Sequence, residues 1–245
     1  MAELPTAPDD LSGLYLAALG LCRGNQGMEA RAIRCFHELI HNWTAPARHY
    51  HTLVVHLQPL VRRIVAEGKR DSWDQRVLLL AAFYHDARMD FSKPDSVNVS
   101  DSAAFWQDHH RFILDENPDL KNTSDLLRND VSRLILATDY SRPLDAAYAA
   151  LRNHDLATLA GSWEDYTRNG ELLQREQKQG TLCWTHHLEQ TRLFGQLGWL
   201  TGMLRSERIF FLDDDGETEL RARANLGRDL ANTVAALQPL RSDHV

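Results

Sequence analysis

Leu, Ile, Val and Ala recur at three- and four-residue spacing through nearly every segment between turn signals, and almost no stretch alternates apolar with polar residues. A helix repeats about every 3.6 residues and a strand every two, so this pattern restricts the chain to an all-α fold. The spacing predicts about ten helices, over 10–23, 28–41, 46–67, 72–89, 99–115, 122–139, 144–160, 163–178, 184–206 and 217–237. Thr44-Ala-Pro46 puts a proline in an expected first turn, Asp71-Ser-Trp-Asp74 begins the next helix with a cap, and Asn122-Thr-Ser-Asp125 reads as a capping arrangement. The longest irregular piece expected is Asp90 to Asp101, which contains Pro94 and Asn98.

No stretch is rich in Pro, Gly and Ser together, so the 245 residues carry no linker-like boundary and are read as one domain, 1–245. The net charge of -7 comes from 27 basic and 34 acidic residues that are interspersed, which argues against duplex nucleic acid as a partner. Cys22, Cys35 and Cys183 are odd in number and form no C-x-x-C pair, as expected of reduced thiols in a cytoplasmic protein. The most apolar early stretch, Leu14 to Cys22, is short and follows Asp9 and Asp10, unlike a signal peptide, and no run is long enough to span a membrane.

The expected helix over 72–89 begins polar, continues as Val77-Leu-Leu-Leu-Ala-Ala-Phe-Tyr84, and then presents His85 and Asp86. Imidazole and carboxylate together suit divalent ions such as Mn, Fe, Co, Ni, Zn or Mg, and a largely buried helix would anchor them rigidly. The plain alternative is a satisfied core histidine beside an aspartate paired with Arg88 or Lys93. Upstream, Arg48-His-Tyr-His51-Thr-Leu-Val-Val-His56 places three histidines within nine positions. On one α-helix His51 and His56 would point about 140° apart, so they are not expected to face one metal together. Downstream, Asp155 is an acidic residue within an otherwise amphipathic helix, and by itself it reads as a surface charge.

Taken in order, R-x-Y-H ending at His51, the apolar-A-A-F-Y-H-D run ending at Asp86, and Asp155-Leu156 resemble the H…HD…D signature of the HD superfamily. More narrowly they resemble its predicted metal-dependent HD phosphohydrolases, and the likeness extends through Asn98-x-x-x-Ser102-Ala103, Ile135-Leu-Ala-Thr138 and Glu219-x-x-Ala-Arg223-x-Asn225-Leu226. The resemblance implies a helical bundle with a divalent metal in its core and N- and C-terminal helices packed on it. It implies His51, His85, Asp86 and Asp155 as metal ligands, and hydrolysis of a small phosphorylated molecule, such as a nucleotide, by metal-activated water. Arg48 is then a candidate for phosphate contact, because its planar fork can bind two oxygens.

The sequence departs from the family pattern around this site. Val99 stands where a glutamate is expected after Asn98, Ser141 where a histidine would end A-T-x-x-H, Asn153 where D-x-D-L would have a carboxylate, and Gln174 and Gln177 at the ends of R-x-E-Y. The His51 to His56 interval is also one residue longer than H-x-x-x-H. These departures leave room for a catalytically weakened metal- or nucleotide-binding regulatory protein. A third reading, an HD-type di-iron oxygenase, would need further histidines such as His109-His110. Adjacent residues point about 100° apart on a helix, so at least one member of that pair, and of His186-His187, is expected to face solvent. The six tryptophans are dispersed as packing residues, and Asp213-Asp-Asp215-Gly216-Glu217 reads as an acidic turn capping the last helix, since it lacks the ligand spacing of a calcium loop.

Overall fold

A computed structural model of the chain describes residues 10–21, 26–67, 72–114, 121–142, 145–179, 186–211 and 216–242. The described residues are all-α, with ten α-helices and no strand among them, and they fall into two compact units, 1–155 and 156–245. No Pro, Gly or Ser-rich segment marks the division, which falls inside the helix Ala149–Leu156 and so left no trace in composition.

The first unit contains α1 (Leu11–Ala18), α2 (Gln26–Trp43), a π-helical turn (Leu53–Leu57) running into α3 (Gln58–Glu67), α4 (Trp73–Tyr84), α5 (Asp95–Leu114), α6 (Lys121–Leu136), a 3-10 turn (Ala146–Tyr148) and α7 (Ala149–Leu156). Helix α4 is central and packs against α1, α3, α5 and α6. Neighbours on every side explain why its last two turns are apolar all round: Val77 and the whole run from Leu79 to Tyr84 are buried. Burying Leu79, Leu80 and Phe83 contributes roughly 1.5–3 kcal/mol each, which holds these turns in the interior. Ser72 caps its start by accepting from the Gln75 N–H.

Several boundaries differ from the sequence expectation, and three of them shape the site. The helix expected from 46 starts at 53, because Thr52 is the cap whose Oγ1 accepts from the Val55 N–H, and Thr44-Ala-Pro46 lies in a turn. Helix α4 stops at Tyr84, five residues early, leaving His85 and Asp86 in the turn beyond it. Helix α5 starts early, directly after Pro94, whose carbonyl accepts from the Val97 N–H, so the irregular segment is 85–94. Ser124 sits inside α6 and meets His110, so Asn122-Thr-Ser-Asp125 is not a cap there.

Segment 85–94 is held by α5 in an ordered way. Asn98 accepts from the Asp90 N–H (3.0 Å) and donates to the Asp90 carbonyl (3.2 Å); one turn on, Ser102 accepts from the Arg88 N–H (3.0 Å) and its hydroxyl faces the Arg88 carbonyl (3.5 Å). Two side chains four apart on a helix thus stand in for a neighbouring strand, satisfying both polar groups of two backbone positions two apart.

In the second unit, a 3-10 turn (Ala157–Ala160) is followed by α8 (Trp163–Gln179), α9 (His186–Arg205) and α10 (Glu217–Ser242), with α10 packed on α9 and on the 3-10 turn. Glu219 accepts from the N–H groups of Ile209 and Phe210, Arg223 donates to the carbonyls of Leu204 and Ser206, and Asn225 donates to those of Leu159 and Gly161. The E-x-x-A-R-x-N series is therefore a backbone latch within this unit. Asp213 to Asp215 of the expected acidic turn, and the side chains of His186 and His187, lie outside the described residues.

Asn98→Ala removes both hydrogen bonds to Asp90 and leaves two backbone groups to find new partners. It is expected to lower unfolding stability by about 1–3 kcal/mol in urea titration, while a change at the exposed Ser92 hydroxyl should cost far less.

Candidate metal centre

His85 and Asp86 emerge from the end of α4 into the interior of the first unit. Nδ1 of His85 lies 2.9 Å from the Ala82 carbonyl. A carbonyl can only accept, so the proton belongs on Nδ1 and the Nε2 lone pair is directed away from α4. His56 comes from the π-helical turn, where the Leu57 N–H reaches back to the Thr52 carbonyl across five residues. Asp155 comes from α7, which Arg63 of α3 ties down through the His154 carbonyl (3.0 Å).

Ligand-type atoms of His56, His85, Asp86 and Asp155 all lie within 4.8 Å of one another, the one such group of four among the described residues. His56 Nε2 is 3.0 Å from His85 Nε2, 3.1 Å from Asp155 Oδ1 and 3.6 Å from Asp86 Oδ2, and His85 Nε2 is 3.1 Å from Asp86 Oδ2 and 3.7 Å from Asp155 Oδ1. Two donors bound to one ion at about 2.1 Å stand about 3.0 Å apart at a right angle and about 3.4 Å apart at a tetrahedral angle. The four residues therefore fit a single divalent cation, with the two histidines almost wholly buried and the carboxylates 12–15% exposed.

Of the sequence candidates, the structure gathers His85, Asp86 and Asp155 into this group. His51 stands at its edge, Nε2 3.6 Å from Asp86 Oδ2, its ring against those of His56 and Phe91. His51 and His56 both approach Asp86 Oδ2 to 3.6 Å, closer in direction than an α-helix would allow, although only His56 belongs to the four-residue group. The 140° separation applies only within one α-helix; here His51 precedes the Thr52 cap and His56 follows on a wide π turn, a feature often found at functional sites. The interval one residue longer than H-x-x-x-H was the available signal for that turn.

Arg48 is buried, donating from Nη1 to the His51 carbonyl and from Nη2 to the Ala87 carbonyl, each at 3.0 Å, with its guanidinium over the Trp43 ring. It thus ties the segment carrying His51 to the turn carrying Asp86. Trp43, expected only as packing, lies beneath the site: its indole N–H is fixed to the Phe83 carbonyl (2.8 Å) and its ring stacks on His56. Tyr140 was not singled out by the sequence, yet its hydroxyl donates to Asp155 Oδ2 at 2.8 Å. Burial and the Asp155 charge hold its phenol well above the ordinary tyrosine range, so it stays a donor.

His109 and His110 do not reach this group. His109 takes Tyr84 Oη on Nδ1 (2.9 Å) and Glu38 on Nε2 (3.4 Å), and His110 meets Ser124 (3.2 Å). Both are buried, contrary to the expected solvent-facing member, because α5 lies between α2 and α6 and adjacent residues meet different neighbours. Val99 is buried core and the Ser141 hydroxyl is bound to Asp139.

Electrostatically the site is a pair of carboxylates balanced by imidazole. Burial would raise the pKa values of Asp86 and Asp155, but the histidines outweigh it and hold both low. Burial also opposes a charge on His85, yet Asp86 and Asp155 prevail and raise it well above the usual histidine value, while burial keeps His56 below it. Asp95, exposed as a whole residue at the start of α5, has its carboxyl raised to about 6 by local desolvation and then by the charge of Asp86, with smaller effects from Asp155 and Asp139. Comparison with protein-family models, curated proteins and solved structures gave no match in any of the three.

A cation requires the unprotonated Nε2 of His85, which the raised pKa keeps charged near neutrality. Metal affinity should therefore rise with pH by about tenfold per unit below the raised His85 pKa and level above it, with about one proton released per ion. Calorimetry in buffers of different ionisation enthalpy measures this; affinity independent of pH would contradict it.

Proposed function

We propose that this protein is a metal-dependent phosphohydrolase of the HD superfamily, acting on a small phosphorylated molecule such as a nucleotide. The observation that carries the reading is the convergence of His56, His85, Asp86 and Asp155 at the mutual distances suited to one divalent ion, Mn, Fe, Co, Ni, Zn or Mg. When bound, such an ion would draw charge from a phosphate oxygen and make water easier to deprotonate. The protein's part is to hold the ligands: α4 fixes His85 and Asp86, the π turn delivers His56, and Trp43 closes the floor against water. His51, at the rim beside Asp86, is a fifth candidate ligand or a contact for the bound phosphate. With two of its donors on backbone carbonyls, Arg48 acts in this reading as a positioning residue. Cytoplasmic location belongs to the same reading and is supported by the free, buried thiol of Cys35. Independently of it, no helix among the described residues is long and apolar enough to cross a membrane.

One observation favours a regulatory, non-hydrolysing protein as the second reading: Val99 is packed in the core and Ser141 is spent on Asp139, so neither offers acid or base chemistry. The di-iron oxygenase reading loses its extra ligands, since His109 and His110 are bound elsewhere.

Asp86→Ala should abolish stoichiometric divalent metal by elemental analysis, whereas His109→Ala should retain it; unchanged metal in Asp86→Ala would overturn the assignment. On a panel of phosphomonoesters, phosphodiesters and nucleoside triphosphates, the metal-loaded protein should hydrolyse at least one class, and bound metal with no turnover would select the regulatory reading.

A further inference from the structure

The turn that closes α6 carries a side chain with a defined relation to one candidate ligand. Tyr140 Oη donates to Asp155 Oδ2 at 2.8 Å, while Oδ1 of the same carboxylate faces His56 Nε2 at 3.1 Å and His85 Nε2 at 3.7 Å. The phenol ring is itself held. The guanidinium of Arg152, one turn before Asp155 on α7, lies 4.3 Å from the ring centroid. The turn beneath is fixed by Asp139, whose Oδ1 accepts from the Ser141 N–H and hydroxyl and whose Oδ2 lies 2.8 Å from Arg142 Nε, and by the Thr138 hydroxyl on the Ile135 carbonyl.

We propose that Tyr140 is a positioning residue that sets the denticity of Asp155, an inference that rests on reading the four-residue group as a metal site. By engaging Oδ2, Tyr140 leaves one carboxylate oxygen for a cation. The centre then offers two imidazole nitrogens and two single carboxylate oxygens, a set suited to small first-row ions that keep coordination positions open for substrate. A carboxylate free to turn both oxygens inward suits a larger, oxygen-seeking ion such as Ca2+, which takes bidentate carboxylates readily. Tyr140 thus bears on which ion is chosen as well as on how tightly it binds.

The test uses Co2+ as the probe with the full metal-stripped chain. Tyr140→Phe keeps the ring, its volume and its stack on Arg152 and removes only the donor. Co2+ affinity is expected to fall about 10–100-fold, the usual cost of losing an outer partner of a ligand. The visible Co2+ absorption should weaken as coordination number rises, and Ca2+ should compete better than in the wild type. Tyr140→Gln, which restores a donor, should recover part of the affinity, and far-UV circular dichroism with the melting temperature of the metal-free variants checks that they fold. Wild-type affinity and spectrum in Tyr140→Phe would overturn the proposal. Equal losses in Phe and Gln variants with an unchanged spectrum would also overturn it, reducing Tyr140 to a space-filler. A wild-type chain that binds no Co2+ would overturn the metal reading and this inference together.

Discussion

Two carboxylate oxygens held within 4.8 Å of each other inside a protein are the constraint on which the first unit turns. At that separation two full negative charges repel by about 3 kcal/mol at an effective dielectric constant of about 20. The repulsion is comparable to a good part of a domain's net stability, so Asp86 and Asp155 stay together only if positive charge lies between them and the backbone cannot relax apart. His85 supplies the first condition as a proton acceptor, and a divalent cation would supply it more fully. The second condition is met by packing.

That packing has a clear hierarchy. Helix α4 is surrounded by four helices, so the position of its last turn, and with it His85 and Asp86, is set by the largest block of apolar burial in the unit. Trp43 then fixes itself to the Phe83 carbonyl and lays its ring beneath the histidines; Arg48 bridges the carbonyls of His51 and Ala87; Asn98 and Ser102 hold the chain beyond Asp86. Each of these polar contacts ends on a backbone group. A backbone partner fixes the path of the chain rather than one rotamer, which is why four side chains from three separate segments can be brought close to the spacing one ion requires.

The sequence made much of this legible, and the parts it hid were hidden for physical reasons. Helical period placed all ten helices, because amphipathicity is a property of the chain alone. His85-Asp86 ends an apolar run, but such a dipeptide is common in cores, and only its order with His51 and Asp155 marks it as ligand-like. Asp155 is unremarkable on an amphipathic helix and could be picked out only through resemblance. On an α-helix only one of His51 and His56 could face the site, and resemblance pointed to His51; a single extra residue makes a π turn and moves the His56 side chain onto the site. Tyr140 could not be seen: it lies in a turn with no periodicity, and its partner is fifteen residues away. The division at 155 was equally silent, because it falls inside a helical segment and not in a linker.

The positions at which the sequence differs from the HD pattern it resembles take on a physical meaning against this geometry. A glutamate at position 99 would sit where Val99 is 2% exposed, so in this chain the position belongs to the core and would demand a partner that a carboxylate could not do without. Ser141 is committed to the turn that carries Tyr140, and a bulkier imidazole there would compete with the Asp139 contacts that fix it. Position 99 touches none of the candidate ligands, while Ser141 bears on Asp155 only at second hand, through the turn that carries the Tyr140 phenol. The residue at position 99 can therefore change while four donors keep their spacing, with His51 standing beside Asp86 at the edge of the group.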